Sequence, residues 1–434
     1  MTTPTAIETL AEYATGLRIA DIPADVAELA GVCLADAVAC TAFGAQFPWS
    51  RAVQDQALAV ARAGRCRLPF LDLPQIPAET AALLAGTFAH AYELDSLRMP
   101  GAGVHPGATV AMPALMVAQQ VGAGPDDLVR AIVAGIEVMF RIGDATLHSA
   151  EARGFHAPGI TGPFGATVAA AVLHGLPASA TASAMGIAAS CGGGLLAFAG
   201  SSGGGMVKRL HMGRAAQAGV TAAELARRGF EGPLSALEGR FGLLEAYCPA
   251  SDPDRLVAGL GTEFETRTLC IKHYACHVTA QAPVEMLRAA MTDHGFTAND
   301  IDSIDLGVSD KVRSHHAAVR PSDAAGAQYS VPFAMAAAAF DDPEDPLVFE
   351  RAVTRDDVAA LSSRTTLQPQ RQIRSKWGAE MSLRLRSGAT IECVREAFLG
   401  TPERPMSCQE FGGKFRRLTG ASLPDMRDIA AEWL

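Results

Sequence analysis

Hydrophobic residues recur at helical spacing along the first half of the chain. From Thr5 to about Gly229 they follow one another about three or four positions apart, in long segments rich in alanine. This spacing places apolar side chains on one face of a helix, and alanine, leucine, methionine and glutamate are strong helix formers. The pattern predicts a region that is helical almost throughout, with its clearest helices at residues 24–43, 78–94, 108–121, 125–148, 162–174, 178–190 and 215–228.

The pattern changes near Glu263, where short runs with strand character lie between turn-forming residues. Helical spacing at residues 279–294 and 329–340 alternates with these runs, and the tail from Thr401 returns to helical spacing. Residues 386–389 have the composition of a hairpin turn. The runs predict strands at residues 266–272, 301–308, 380–385 and 390–394.

These patterns predict a mainly α protein of two domains. A chain of 434 residues exceeds the size at which a single core is typical. The change in texture places the division near residue 262, with the helical tail rejoining the first domain. We expect a large all-α domain of residues 1–262 with 401–434, and a smaller α+β domain of residues 263–400.

Composition and charge narrow the class of protein. The chain is 49% hydrophobic and 19% charged, with a formal net charge of −10, so neither disorder nor a general nucleic-acid surface is expected. Glu8 and Glu12 argue against a signal peptide, and the apolar stretch 164–198 is interrupted by glycine and proline, so no membrane span is expected. Nine cysteines without a CxxC pair indicate reduced thiols and a cytoplasmic protein.

Ionisable residues occur in four junctions rich in glycine, proline or small residues. In the first, Glu93 and Asp95 precede a loop at 99–103 that can bring His105 back toward them. A carboxylate beside a histidine raises the imidazole pKa and orients the ring for proton transfer. A helix end that carries surface charges fits the same residues.

The second and third junctions each place a basic residue near the start of a helix. His156 precedes small residues, and Lys208 with His211 follows a glycine-rich segment. Free backbone N–H groups and the helix dipole favour an anion at such a start, so a carboxylate could bind beside Lys208. The alternatives are a buried, hydrogen-bonded His156 and a solvated Lys208. His211 is expected to be structural.

The fourth junction holds Lys272 and His277, which follow the first predicted strand of the second region. His273 and His277 have HxxxH spacing, but no acidic residue lies nearby in the sequence to complete a familiar metal motif, so no metal site is predicted. Dinucleotide and P-loop motifs are absent from the sequence.

Taken together, these segments resemble the MmgE/PrpD family, which includes 2-methylcitrate dehydratase, cis-aconitate decarboxylase and iminodisuccinate epimerase. The matching segments occur in family order over nearly the whole chain: 90–95 with 105–106, 153–156 with 162–166, 208–216, 272 with 276–277, and 328–333.

The resemblance implies a large all-α domain built from both ends of the chain, a smaller α+β lid domain, an active site in the cleft between them, and a homodimer. It implies no metal and no organic cofactor. The implied catalytic residues are His105, Glu93, Asp95, His156, Lys208, Lys272 and His277. Substrate-binding roles are implied for Lys208, Lys272, His156 and Tyr329.

The sequence departs from the family pattern at two of these places. Glu93-Leu94-Asp95-Ser96 stands where the family commonly reads Asp-x-Asp-Asp, and Phe333 stands where many members have tyrosine. The expected function is a cofactor-independent lyase, a dehydratase or a decarboxylase, that acts on a small di- or tricarboxylate by proton transfer next to a carboxylate. An epimerase of a dicarboxylate such as iminodisuccinate, and a catalytically inactive polycarboxylate-binding protein, are the alternatives. No nucleic-acid or membrane partner is expected.

Overall fold

The computed structural model describes residues 4–101, 103–200 and 205–434, and for residues 199 and 200 the backbone alone. Ala102 in the predicted loop 99–103, and residues 201–204 in the segment before Lys208, lie outside the described residues. The protein is mainly α with some β structure. The α-helices are α1 (Ala6–Gly16), α2 (Ala24–Gly44), α3 (Pro48–Val60), α4 (Ala78–Ala89), α5 (Met112–Val121), α6 (Pro125–Ala145), α7 (Ala157–Leu173), α8 (Ala178–Ala189), α9 (Ala197–Gly200), α10 (Val207–Arg227), α11 (Leu243–Tyr247), α12 (Val278–His294), α13 (Asp310–His315), α14 (Ala324–Tyr329), α15 (Val331–Phe340), α16 (Val348–Ala352), α17 (Asp356–Ser362), α18 (Cys408–Thr419) and α19 (Ile429–Glu432).

Short helical turns and strands complete the description. Gly107–Ala111 forms a π-helical turn that leads into α5, and 3₁₀ turns lie at Ile19–Asp21, Ala150–Arg153, Pro253–Leu256, Glu265–Thr268 and Ala298–Asp300. The strands are β1 (Leu97–Arg98), β2 (Leu269–Cys270), β3 (Ile301–Val308), β4 (Thr365–Pro369), β5 (Ala379–Leu385) and β6 (Thr390–Arg395).

Backbone contacts divide the chain into two compact units. Unit 1 comprises residues 1–91, 95–269 and 418–434, and unit 2 comprises residues 92–94 and 270–417. The predicted domains, 1–262 with 401–434 and 263–400, stay a prediction about which parts of the chain fold together.

Unit 1 is built on close packing of helices around α10. This helix packs against α4 and α7. A Cβ atom at Gly213 would overlap Thr87 and the backbone of α4, and one at Gly219 would overlap the backbone of α7. These two glycines therefore let α10 approach both neighbours, which fixes the position of its first turn.

Unit 2 contains a four-stranded sheet with the order β4-β3-β5-β6. β3 pairs with β4 in parallel and with β5 antiparallel, and β5 and β6 form the predicted hairpin. In β3, the side chains of Ile304, Leu306 and Val308 are buried at every second position, as expected for a strand with one face in the core. Helix α12 packs against β5, β6 and α15.

Besides the helix predicted at residues 162–174, which begins earlier at Ala157, three predicted elements clearly differ from the structure. The helix predicted to reach residue 94 ends at Ala89, and Glu93, with a φ of +58°, has a left-handed backbone that an α-helix cannot contain. The helix predicted from residue 215 begins at Val207. Its first turn carries buried basic side chains, which interrupt the hydrophobic spacing and so hid this start in the sequence.

The third difference is the strand predicted at residues 266–272, which is reduced to Leu269–Cys270. Thr266 donates both its backbone N–H and its hydroxyl to the buried carboxylate of Glu137, at 2.8 and 2.6 Å. These donations replace the ladder of a longer strand. β4 was not predicted from the sequence.

One helix among the described residues, α2, is long and apolar enough to cross a membrane by length and composition. Of its most apolar window, 72% is buried inside the structure. A core helix passes the same test, so this feature gives only weak support for a membrane span.

Candidate active site

Asp95 lies at the centre of a buried group in unit 1. One carboxylate oxygen, Oδ2, is 2.9 Å from Nδ1 of His90 and 2.9 Å from Nδ1 of His105. Nδ1 of His105 is also 3.0 Å from the carbonyl oxygen of Ser96. Because these oxygens only accept hydrogen bonds, both Nδ1 atoms carry a proton and donate it. In its neutral form His105 therefore has its lone pair on Nε2.

The charges in this group follow from burial and from the shared oxygen. Burial opposes ionisation of Asp95, but His105 and His90 together hold the pKa of its carboxyl well below the ordinary value. Burial lowers the pKa of His90 well below the ordinary value, and Asp95 opposes this only in part. Asp95 is therefore an anion beside a neutral His90. His105 is the more accessible partner, with a side chain that is 16% exposed.

A second pair of histidines lies close to the first. His156 immediately precedes α7, and its Nδ1 atom is 3.0 Å from Nδ1 of His211, on α10. The ring centroids of His90 and His156 are 6.3 Å apart. Burial, together with the nearby His211 and His105, lowers the pKa of His156 to about 3. His156 is therefore neutral near pH 7. We call His90, Asp95, His105, His156 and His211 the histidine cluster.

A glycine segment makes room for the His156–His211 pair. Gly194 accepts a hydrogen bond from the His156 backbone N–H at 3.0 Å. It has a φ of +138°, and a Cβ atom there would lie 2.9 Å from Nδ1 of His211. Glycine at position 194 is thus required by the backbone and by the close approach of the His211 ring.

Lys208 lies in the first turn of α10, one turn before His211, and is buried. Its charge lowers the pKa of His90 and of His211, although burial is the larger cause for both histidines. A cation that lies near neutral histidines and a helix N-terminus is suited to bind a carboxylate. Lys208 thus lies at a helix start, although the helix was predicted to begin only at residue 215.

In unit 2, Lys272 and Glu93 form a buried ion pair. Nζ of Lys272 is 3.4 Å from Oε2 of Glu93, and both side chains are almost fully buried. Glu93 has a φ of +58°, in the left-handed region that glutamate seldom adopts. Such strain persists where the surrounding contacts impose it. Here Tyr92 donates its hydroxyl to Glu350 at 2.5 Å, which helps to hold this segment.

Three rings stack beside the start of α12. The ring of His277 lies 4.3 Å from that of His316 and 4.9 Å from that of Tyr329, measured between centroids. Nδ1 of His277 accepts from the backbone N–H of Thr279 at 3.4 Å, so His277 caps α12. A neutral His277 then carries its proton on Nε2. We call Glu93, Lys272, His277, His316 and Tyr329 the lysine cluster.

Gln328 connects the parts of the lysine cluster. Its carbonyl oxygen accepts from the His277 backbone N–H at 2.8 Å, and its side-chain amide donates to the Tyr92 carbonyl at 3.1 Å. Gln328 thus links the backbone of His277, in the ring stack, to the backbone of Tyr92, next to Glu93. The segment 328–333 matches the family pattern in the sequence, but the contacts of Gln328 are visible only in the structure.

Two models of one protein family match most of the chain. Residues 8–256 match the MmgE/PrpD N-terminal domain, and residues 274–433 match the MmgE/PrpD C-terminal domain. The chain belongs to the MmgE/PrpD family. The predicted family is therefore confirmed.

Among curated MmgE/PrpD relatives, the chain is 29% identical to a cis-aconitate decarboxylase-like protein of Aspergillus oryzae, over 96% of this chain and 91% of the relative. It is 28% identical to the cis-aconitate decarboxylase of Aspergillus terreus, over 96% and 90% of the two chains. It is 26% identical to the cis-aconitate decarboxylase of Homo sapiens, over 79% and 73%.

Within the described part of this MmgE/PrpD protein, one group of side chains could hold a metal ion. The ligand atoms of His90, Asp95 and His105 all lie within 4.8 Å of one another. His273 and His277, which have HxxxH spacing, face different partners. Nε2 of His273 is 3.3 Å from Glu344, whereas Nδ1 of His277 is 2.9 Å from the hydroxyl of Thr279.

The structure brings most of the predicted residues into two groups. Asp95, His105 and His156 lie in the histidine cluster, and Glu93, Lys272, His277 and Tyr329 lie in the lysine cluster. The catalytic and binding roles predicted for them stay predictions. Sequence reasoning did not include His90 or His316 among the site residues, and it assigned His211 to structure.

Each of these histidines had a weak sequence feature. His90 begins the segment that carries Asp95, His211 lies one helical turn after Lys208, and His316 belongs to an adjacent pair. In that pair, His316 is buried and His315 is exposed.

Proposed function

We propose that this protein is a cofactor-independent lyase that decarboxylates a small tricarboxylate, with cis-aconitate as its substrate. The observation that carries the proposal is the shared oxygen of Asp95, which orients His105 with Nδ1–H toward the carboxylate and leaves Nε2 for proton transfer. Membership of the MmgE/PrpD family and the curated decarboxylase relatives support a lyase-type function and this choice of substrate.

Decarboxylation breaks a carbon–carbon bond and leaves an electron pair on carbon. In an unsaturated tricarboxylate this pair delocalises toward a neighbouring carboxylate, and the reaction ends when a proton is delivered to carbon. The developing charge requires fixed donors and cations, since neutral water would have to reorganise to supply them. Buried lysines and oriented imidazoles are groups of this kind.

In unit 1, we assign proton delivery to His105. Its imidazolium form is balanced by Asp95, which lies 2.9 Å from Nδ1, so Nε2–H can be given to carbon and regained from solvent. His156 is neutral and is assigned as a hydrogen-bond donor to a substrate carboxylate. Lys208, buried in the first turn of α10, is assigned as the countercharge to the same part of the substrate.

In unit 2, we assign Lys272 to a second substrate carboxylate. Its pairing with Glu93 keeps the ammonium group charged in a buried position, because each charge compensates the other. His277, with its proton on Nε2, is assigned as a further donor, and Tyr329 as a wall of the binding site. The same proposal includes a lid role for the smaller α+β domain, a homodimer and a cytoplasmic location.

The test is the incubation of the purified chain with cis-aconitate in D2O. We expect release of CO2 and a dicarboxylate product that carries one solvent-derived deuterium, seen by ¹H NMR. His294, an exposed residue at the end of α12, provides the matched control. The variant His294→Ala is expected to release CO2 at the wild-type rate, whereas His105→Ala is expected to be nearly inactive.

Other outcomes would replace the proposal with a specific alternative. Formation of a hydroxylated tricarboxylate from cis-aconitate would indicate a dehydratase. Exchange of one carbon-bound proton of iminodisuccinate without loss of carbon would indicate an epimerase. Thermal stabilisation by citrate, methylcitrate or tartrate without turnover of any polyacid would indicate a binding protein.

A further inference from the structure

The His156–His211 contact constrains where each ring carries its proton. The two Nδ1 atoms are 3.0 Å apart, which is the distance of a hydrogen bond. Burial lowers the pKa of both residues, so both rings are neutral and each has one N–H. One Nδ1 must donate and the other must accept. The contact therefore permits two arrangements, which differ in the tautomer of His156.

The two tautomers have opposite effects on a carboxylate ligand. If His211 donates, His156 accepts at Nδ1 and carries its own proton on Nε2, which presents an N–H to an anion. If His156 donates, its Nε2 presents a lone pair, which repels an anion. A single proton position in the pair therefore decides whether His156 can bind a substrate carboxylate.

Lys208 favours the first arrangement. It precedes His211 by one turn on the same face of α10, and its positive charge acts on the His211 ring. With Nδ1 of His211 engaged by His156, only Nε2 of His211 remains. The arrangement with the proton of His211 on Nδ1 is the one in which a cation on the open side of the ring meets a lone pair rather than an N–H.

Packing restrains the position of the His211 ring, which donates in the first arrangement. The His211 ring lies next to Gly194, where a Cβ atom would come within 2.9 Å of Nδ1, and its centroid is 5.9 Å from that of Phe198. His156 is held by its backbone hydrogen bond to Gly194 and by the start of α7. Both rings are therefore restrained on the side where they meet.

We propose that His211 is a positioning residue that donates its Nδ1–H to His156 and so holds His156 in the Nε2–H tautomer, ready to bind a carboxylate of the substrate. This inference rests on the proposed function for the identity of the ligand. The tautomer itself is a property of the unliganded protein, so that part of the inference is independent of the proposed function.

Nitrogen NMR of the unliganded protein tests the tautomer directly. With ¹⁵N-labelled histidine, and with His156 assigned by its loss in His156→Asn, we expect Nε2 of His156 to be the protonated nitrogen and Nδ1 to be the bare one. A protonated Nδ1 on His156 would overturn the proposal, whatever the enzyme's activity.

An isosteric pair of variants tests the consequence for binding. Asparagine places an amide N–H near the position of His211 Nδ1, so His211→Asn can still donate to His156. Aspartate places an acceptor there, so His211→Asp reverses the hydrogen bond. We expect the KM for cis-aconitate to stay within about threefold for His211→Asn and to rise about 30-fold for His211→Asp, as the loss of one hydrogen bond to a charged group implies.

Controls separate this effect from charge and from folding. His211→Leu lacks both the donor and the added charge and is expected to raise KM by about 10-fold with a smaller change in kcat. His174→Gln, which alters a histidine paired with Glu224, is expected to leave KM unchanged. An equal KM for His211→Asn and His211→Asp would overturn the proposal. If wild-type protein releases no CO2 from cis-aconitate, the proposed function fails, and the NMR result still decides the tautomer.

Discussion

The histidine cluster and the lysine cluster use a buried carboxylate in opposite ways. In the histidine cluster, Asp95 accepts two hydrogen bonds from neutral or ionisable rings, and its charge is available to stabilise a proton on His105. In the lysine cluster, the carboxylate of Glu93 pairs with the ammonium group of Lys272, so the two opposite charges compensate each other. The first arrangement is suited to moving a proton, and the second to fixing a charge.

Because of this difference, we expect the histidine cluster to determine kcat and the lysine cluster to determine protein stability and substrate affinity. A group that transfers a proton contributes mainly in the transition state, whereas a fixed cation contributes to the bound substrate as well. Variants in the two clusters should therefore change different quantities. Variants of side chains that contact few other residues compare the two clusters most clearly, because they disturb the fold least.

The largest effect is expected from His105→Ala. Removal of the group held by Asp95 should lower kcat for the release of CO2 from cis-aconitate by about 10³-fold, as for loss of a general acid. The fold should persist, because the His105 side chain is partly exposed. Steady-state kinetics and thermal unfolding measure the two quantities.

Asp95→Asn provides the companion measurement. It keeps the volume of the carboxylate and removes the charge that stabilises a protonated His105, so kcat should fall by about 10²-fold or more. The comparison between the clusters would collapse if His105→Ala kept kcat within threefold of wild type while Lys272→Met abolished it.

The next effect is expected in the lysine cluster, from Lys272→Met. This variant leaves the buried carboxylate of Glu93 without its cation, which should destabilise the protein by about 3 kcal/mol. Adding Glu93→Gln removes the uncompensated charge. The double variant should recover most of the free energy of unfolding in urea but not the affinity for the tricarboxylate.

Non-additivity of these two substitutions is the diagnostic result. A double variant no more stable than Lys272→Met would show that the two side chains are not energetically coupled. Recovery of wild-type KM in the double variant would contradict the assignment of Lys272 to a substrate carboxylate.

The two clusters were not equally predictable from the sequence. Asp95 and His105 lie close together in the chain, and the loop between them is short enough to suggest contact. Lys272 lies far from Glu93 in sequence, and nothing local indicates that the two pair. The left-handed backbone of Glu93 is likewise imposed by tertiary contacts, since glutamate has no preference for that conformation.

The same reasoning applies to the fold. Strand β3 and the β5–β6 hairpin were predicted because hydrophobic spacing and turn residues are local properties, and the structure confirms them. Strand β4 was missed because its burial is irregular and it pairs in parallel with a strand distant in sequence. The early start of α10 was missed because Lys208 and Arg209 are buried there, against the usual preference of charged residues.

A smaller effect is expected on the pH dependence of stability. The pKa of His156 is about 3 in the folded protein, and an unfolded histidine has a pKa of about 6.5. Between these values the unfolded state binds a proton that the folded state does not, so this residue makes stability rise with pH and fall on acidification below about 6.5. Its contribution is about 1.4 kcal/mol per pH unit in that window.

His156→Asn should remove that dependence. Between pH 7.5 and 5.5, the loss of unfolding free energy should be smaller than in wild type by about 1 kcal/mol, measured by urea unfolding at both pH values. His294→Asn serves as the control, because this side chain is exposed in the folded chain as it is in the unfolded one. Equal slopes for wild type and His156→Asn would show that folding does not lower the pKa of His156.

The smallest effect is expected from removal of metal. His90, Asp95 and His105 are close enough to hold an ion, so the histidine cluster could in principle act through a metal rather than through a proton. Both Nδ1 atoms, however, already donate protons to the Asp95 oxygen, and a metal at that point would have to displace both protons. Dialysis against EDTA should therefore leave kcat within twofold of its starting value. If EDTA abolished activity and a single equivalent of a divalent ion restored it, the histidine cluster would be a metal site rather than a proton-transfer site. The role assigned to the lysine cluster would be unaffected by that result.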